Sequence, residues 1–340
     1  MTRRFNSIAL ALTASLQSFG SVPAPEEFLR AQMQLSPGQI ADVQNGKAFA
    51  EILPSSNPSD IFVGGVVYIH AKPAAYLQFM QDMPRRKTVA GYLGAGEFST
   101  PPTVGDLDGL SLDRDDIEDL KNCRPGDCEL QLPEDSMEAA RASIEWNSPD
   151  VAEQVTKLAK RGIVRLLKEY QQAGDRALLP YRDKRDPVPP AEQFRSLLGH
   201  VELLPQYLPD LNRYLLQYPN TKPERAQNFY YWETVNFGLK PTVRVNHAII
   251  YRTSGPEAVH VLAIKQLYAT HYFQTALDLS FCVPSSTVSG GDGFYLITVK
   301  GSRQEGLTGF KGGLIRKVVV ARTRESLERA LNSIREKLAQ

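Results

Sequence analysis

Cysteine is scarce in this sequence. There are three in 340 residues, with five histidines. The closest pair, Cys123 and Cys128, has neither the C-x-x-C spacing nor a nearby histidine, which argues against a redox or metal centre there. Standard catalytic motifs are also missing. The chain has no H-E-x-x-H, no G-x-S-x-G and no C-x-x-C-H, and Gly306 to Gly313 (GLTGFKGG) lacks the spacing and the Gly-Lys-Ser/Thr ending of a P-loop. No excess of one charge exists: 39 basic residues face 38 acidic ones. Without clustered Lys and Arg, nucleic acid is excluded as the main partner. Long apolar runs are absent from everything after the N-terminus, so no transmembrane anchor is expected.

What is present begins with an address. Arg3 and Arg4 precede an apolar run, Ile8 to Phe19, which stops before Ser21-Val22-Pro23-Ala24. That is the layout of a secretory signal peptide over residues 1–24, cleaved after Ala24 or Gly20. A soluble, exported protein, periplasmic or secreted, is the expectation. In such a compartment Cys123 and Cys128, flanking Arg-Pro-Gly-Asp, are expected to form a local disulfide. Pro125 and Gly126 suit the two central positions of a type II turn that brings the sulfurs together. Cys282, between Phe281 and Val283, reads as a buried free thiol.

The mature chain divides into three stretches. Residues 25–103 begin with a helix over Pro25 to Met33 and a second opened by Ser36-Pro37. Asp60 to Ala71 (DIFVGGVVYIHA) then reads as a strand with Gly64-Gly65 marking a bulge or a close backbone approach. A helix follows from Pro73. Residues 104–220 are helical: Asp113 to Lys121, Glu134 to Trp146, Pro149 to Ala173, Ala191 to Leu204 and Asp210 to Tyr218, with the Pro-rich connector Asp183 to Pro190 between the third and fourth. From Phe229 the apolar period changes from 3.6 to 2. Phe229 to Phe237, Thr242 to Arg252, Ala258 to Ala269, Tyr272 to Val283, Phe294 to Ser302 and Leu314 to Arg322 read as strands. Only the break near Thr270 lacks turn residues, and the two segments around it could be one bent strand. Residues 221–340 end in a one-sided helix, Thr323 to Ala339, with Thr323 as N-cap and Leu327, Ala330, Leu331, Ile334 and Leu338 on its apolar face.

The order of one strand with its helix (Ile61 to Ala71, Pro73 to Met83), then antiparallel strands from Phe229, then a long terminal helix resembles the helix-grip order of the START-like (Bet v 1-like) superfamily. The resemblance implies an α+β fold in which a curved antiparallel sheet grips the C-terminal helix over an apolar cavity. The block 104–220 departs from it, being far longer than the family's pair of helices, and is expected to be an all-helical insertion or subdomain.

Candidate ligand-binding residues follow from polar groups set among apolar strand neighbours. Alternation puts His247 on one face with Val243, Val245, Ile249 and Tyr251, and puts Lys265 on a face with Leu267 and, if the strand runs straight on, His271. Tyr231 and Glu233 lie in an aromatic stretch, Tyr230 to Glu233. Phe310 and Lys311 sit in the Gly-rich segment, where they could cover a cavity mouth. The function expected is binding of an apolar or amphipathic small molecule, such as a lipid, between sheet and C-terminal helix, with no cofactor. A second reading is an enzyme using Glu233, His247 or His271 as acid or base. In the bland reading Glu233 pairs with Arg244 across the hairpin. A third is a protein-interaction module working through the helical block.

Overall fold

The computed structural model describes residues 25–339 except 32, 90, 237–239, 256–257, 286–291, 305 and 307–308; of residues 309–315 it describes the backbone alone. The signal-peptide reading of residues 1–24, and the side chains of Phe310 and Lys311, lie outside the described residues. In chain order the elements are α1 (Pro25–Ala31), α2 (Pro37–Gln44), β1 (Phe49–Leu53), β2 (Asp60–Ile69), α3 (Pro73–Gln81), α4 (Met83–Arg86) and β3 (Tyr92–Glu97). Then come α5 (Arg114–Asn122), α6 (Glu134–Ser143), α7 (Val151–Ala173), α8 (Pro190–Leu198), α9 (Leu203–Tyr207) and α10 (Pro209–Gln217). The chain closes with β4 (Ala226–Val235), β5 (Thr242–Arg252), β6 (His260–Ala269), β7 (Phe273–Ser285), β8 (Gly293–Gln304) and α11 (Gly309–Leu338).

The fold is α+β. The eight strands form an antiparallel sheet in the order β1-β2-β8-β7-β6-β5-β4-β3, open at β1 and β3. Both faces are covered, which is why β2 is buried along its whole length and reads as a continuous apolar run. On one face Val66, Val245, Val261, Leu279 and Ile297 pack against Ile163, Leu167 and Tyr170 of α7, Phe194 and Leu197 of α8, and Leu211 and Leu215 of α10. On the other, Val63, Val67, Ala248, Leu262 and Leu296 pack against Tyr76 and Leu77 of α3, Met83 of α4, and Leu327 and Leu331 of α11. The alternation read in Thr242 to Arg252 holds: Val243, Val245, Ile249 and Tyr251 face α7 to α10, while Ala248 and Ile250 face α11.

Local chemistry explains the ends of several elements. Ser36 Oγ accepts from Gln39 N while Gln39 Oε1 accepts from Ser36 N, a complete capping box with Pro37 next in line. Gly174 ends α7 at φ +61° beneath the carbonyl of Tyr218, where no Cβ fits. Asp127 N donates to Arg124 O at 2.9 Å with Gly126 at φ +91°, so the Pro-Gly turn forms and Cys123 and Cys128 are disulfide-bonded. The bond lies in a small cluster with Leu120, Leu130, Met137 and Val155. Cys282 is buried and free.

Three expectations are corrected. Leu314 to Arg322 is not a strand but part of α11, which begins at Gly309. Its β-branched run, Val318 to Val320, suits a strand locally, yet helix here lets Val319 and Val320 join the cluster of Leu327 and Leu331. Thr323 consequently is no N-cap: mid-helix, its Oγ1 donates back to Val319 O at 2.8 Å. The break near Thr270 is a tight hairpin rather than a bend, made by Tyr272 at φ +63°, a left-handed position held without glycine.

Candidate functional site

An apolar-lined concavity lies between α7 and the sheet. It is a cavity of about 280 Å³ walled by Leu120 of α5, Ala140 of α6, Leu158, Ile163 and Leu166 of α7, Leu130 and Leu132, and Val243 and Leu267 of the sheet. Its size is near the lower end of small-molecule sites. Leu179, 42 % exposed, stands at its edge. Arg161, Arg165 and Glu169, all exposed, line it from α7. Between the arginines sits Gly162, in the middle of a helix of 23 residues. A Cβ added there meets nothing within 4 Å, so the glycine leaves open space where a side chain would stand. Tyr181 is also in the wall, and burial, with Asp183 nearby, pushes its phenol above the ordinary value, so it is a neutral hydroxyl.

His271 reaches this cavity indirectly. Its Nε2 is 3.0 Å from Asp116 Oδ1, and Asp116 lines the cavity floor. Its Nδ1 is 3.2 Å from the Glu129 carbonyl, which only accepts, so Nδ1 carries a proton. Gln131 Nε2 ties the same corner to the carbonyls of Ala269 and Phe273.

His247 and Lys265 are cross-strand partners on the α7 face, both wholly buried. Tyr170 of α7 lies 3.0 Å from His247 Nδ1, and Asn228 Oδ1 lies 3.0 Å from Nε2. An amide oxygen only accepts, so Nε2–H donates to Asn228 and Nδ1 accepts from the Tyr170 hydroxyl: a neutral imidazole with both nitrogens used. Asn228 Nδ2 in turn donates to Tyr214 Oη at 2.8 Å. Burial, then the Lys265 cation, holds the imidazole well below its ordinary pKa. Burial likewise lowers that of Lys265, against the pull of Asp175, to which Nζ donates. The ammonium also sits 4.0 Å from the centre of the Phe194 ring. Tyr251, half-buried, packs at the margin of this core.

Glu233 and Tyr231 point to the opposite face. Glu233 Oε2 is 3.1 Å from Arg86 Nη2 of α4, and Oε1 is 3.1 Å from Arg244 Nη1, its register partner on β5. The Arg86 guanidinium stacks over the Tyr231 ring at 4.3 Å. Beside it Asp278 accepts from Lys300 at 2.8 Å; although burial opposes it, Lys300 and Arg244 hold that carboxyl below the usual range. Glu233, His247 and His271 therefore occupy three separate environments: the α11 face, the α7 face and the hairpin corner by the cavity. Among the described residues no group of three His, Cys, Asp or Glu side chains is placed to hold a metal ion.

Sequence reasoning missed Arg161, Gly162 and Arg165, and also the partners Arg86, Asp175 and Tyr170. The one local signal was Gly162, a costly residue inside so regular a helix. No protein-family model matches the chain, and no curated protein matches it in sequence.

Proposed function

We propose that this protein binds an apolar or amphipathic small molecule without catalysing a reaction, and that the molecule occupies the cavity against α7. The observation that carries this is Gly162. A glycine in a helix interior costs about 1 kcal/mol relative to alanine, and here it keeps a side chain out of an otherwise apolar, walled space. The space under α11 suits a ligand less well. At Gly65 even a Cβ would stand 2.7 Å from Leu327 Cδ2 and 2.8 Å from Leu331 Cδ1, so that part of the α11 face is filled. The separation of Glu233, His247 and His271 also favours binding over acid–base chemistry.

Strand order supports a helix-grip architecture. With β1 set aside, α3 and α4 stand between β2 and β3, β8 returns beside β2, and α11 follows. In that reading α5 to α10 are an insertion between β3 and β4, on the outer face of the sheet. Export is part of the proposal too. The disulfide is consistent with an oxidising compartment, and no helix among the described residues is long and apolar enough to cross a membrane.

Calorimetric titration with 1-decanol tests the site. Wild type binds one molecule, and Gly162→Phe, with Gly162→Leu as a milder plug, weakens binding about tenfold or more, a loss of about 1.4 kcal/mol or greater. Gly162→Ala raises the thermal midpoint, by the roughly 1 kcal/mol its helix propensity supplies. Full affinity in folded Gly162→Phe and Gly162→Leu would remove the cavity from consideration.

A further inference from the structure

We infer that the ligand of this cavity is a single-chain amphiphile with an anionic head, an assignment that rests on the cavity being the binding site. Although the sequence is evenly charged overall, helical spacing gathers Lys157, Arg161, Arg165 and Lys168 on one exposed side of α7, within about 80° of arc at 100° per residue. None of the four has an ion-pair or hydrogen-bond partner among the described residues. Like charges one turn apart weaken a helix, so the arrangement gives α7 nothing by itself.

Its position does point to a ligand. A second, more open groove along α7 is lined by Arg161, Arg165 and Glu169, the same three residues that line the apolar cavity, together with Lys168 and Val104. Arg161, Arg165 and Glu169 thus border both spaces. A chain entering the inner cavity leaves its head in the open groove, where three cations face the single carboxylate of Glu169. Asp116, the other acid of the inner wall, is committed to His271. A guanidinium binds carboxylate or phosphate through two parallel hydrogen bonds. A methylene is close in size to a water, which takes roughly 30 Å³ in the liquid, so a cavity of about 280 Å³ is large enough for a medium-length alkyl chain.

The test is calorimetry of the full chain with four probes of one length: decanoate, decyl phosphate, 1-decanol and decyltrimethylammonium. At low ionic strength one or both anions should bind at least tenfold tighter than decanol, and the ammonium more weakly than decanol. The ratio of decanoate to decyl phosphate then names the head as carboxylate or phosphate. The preference should shrink as salt is raised, since the groove is exposed. In Arg161→Gln/Arg165→Gln, with folding checked by a cooperative transition at no lower thermal midpoint, the anion-to-decanol affinity ratio should fall at least fivefold, and Arg161→Lys/Arg165→Lys should restore part of it. Equal binding of all heads, or an unchanged ratio in the glutamine variant, overturns the anionic assignment while decanol binding keeps the cavity. Failure of decanol to bind, with Gly162→Phe indistinguishable from wild type, overturns both.

Discussion

Glu233→Ala lowers the free energy of unfolding by about 3–5 kcal/mol, the cost of breaking a buried ion pair from one side. Glu233 is 1 % exposed and spends both carboxylate oxygens on guanidiniums, Arg86 from α4 and Arg244 from β5. Burial works against the charge of both arginines, yet Tyr231, Tyr92 and Glu233 hold Arg86 firmly protonated, and Glu233 and Asp278 do the same for Arg244. Removing the carboxylate therefore leaves two buried cations with no anion between them. Glu233→Gln keeps the shape and loses the charge, so it should be destabilising as well, whereas Glu233→Ala in an Arg86→Met background should recover part of the loss. Urea denaturation of wild type, Glu233→Ala, Arg86→Met and the double variant gives the coupling directly. A loss under 1 kcal/mol for Glu233→Ala would show the triad to be dispensable. The same geometry bears on function: a carboxylate clamped by two guanidiniums is badly placed to exchange a proton with a substrate.

That triad shows how far the sequence could be read. The pairing of Glu233 with Arg244 follows from alternation across a short hairpin, but Arg86 lies 147 residues away and comes from a helix of only four residues. Strand β3 was illegible because it is glycine-rich. Gly94 and Gly96 have no side chains since the Trp232 indole packs across them, where a Cβ on Gly96 would stand 2.5 Å from Trp232 Nε1. A strand specified by what packs on it carries no propensity of its own. Strand β1 (FAEIL) is short and paired on one side only, so it too shows no periodic signal. Helix α7 and strand β5, each with a clean apolar period, were plain, whereas α11 was legible only from Thr323 onward because its β-branched first half reads as strand. The cavity was not, because its walls come from α5, α6, α7 and β6, brought together over more than a hundred residues of chain; Gly162 alone marked it locally.

Stability should fall on mild acidification, with a slope that reaches about 1.4 kcal/mol per pH unit from His247 alone. Burial and the Lys265 cation set the folded-state pKa of His247 well below its ordinary value, whereas in the unfolded chain it is near 6.5. Below about pH 6.5 the unfolded state therefore takes up a proton that the folded state refuses. The contribution is fully present above that pH and is lost progressively as pH falls toward the folded value. No facing group relieves the cost. Tyr170 offers a hydroxyl already donated to Nδ1, Tyr218 and Tyr230 bond each other through their hydroxyls while packing on the ring, and Asp175 is held by Lys265. Chemical denaturation of wild type and His247→Gln at pH 7, 6 and 5 isolates the term, because carboxylates and the partly buried His260 cancel in the difference. The advantage of wild type should narrow by about 1 kcal/mol between pH 6 and 5; parallel curves would mean that the imidazole is protonated in place. Tyr170 is the link from this histidine to α7; because the folded imidazole stays neutral over this interval, that hydrogen bond persists, so the decanol affinity of the folded protein should hold steady while its stability falls.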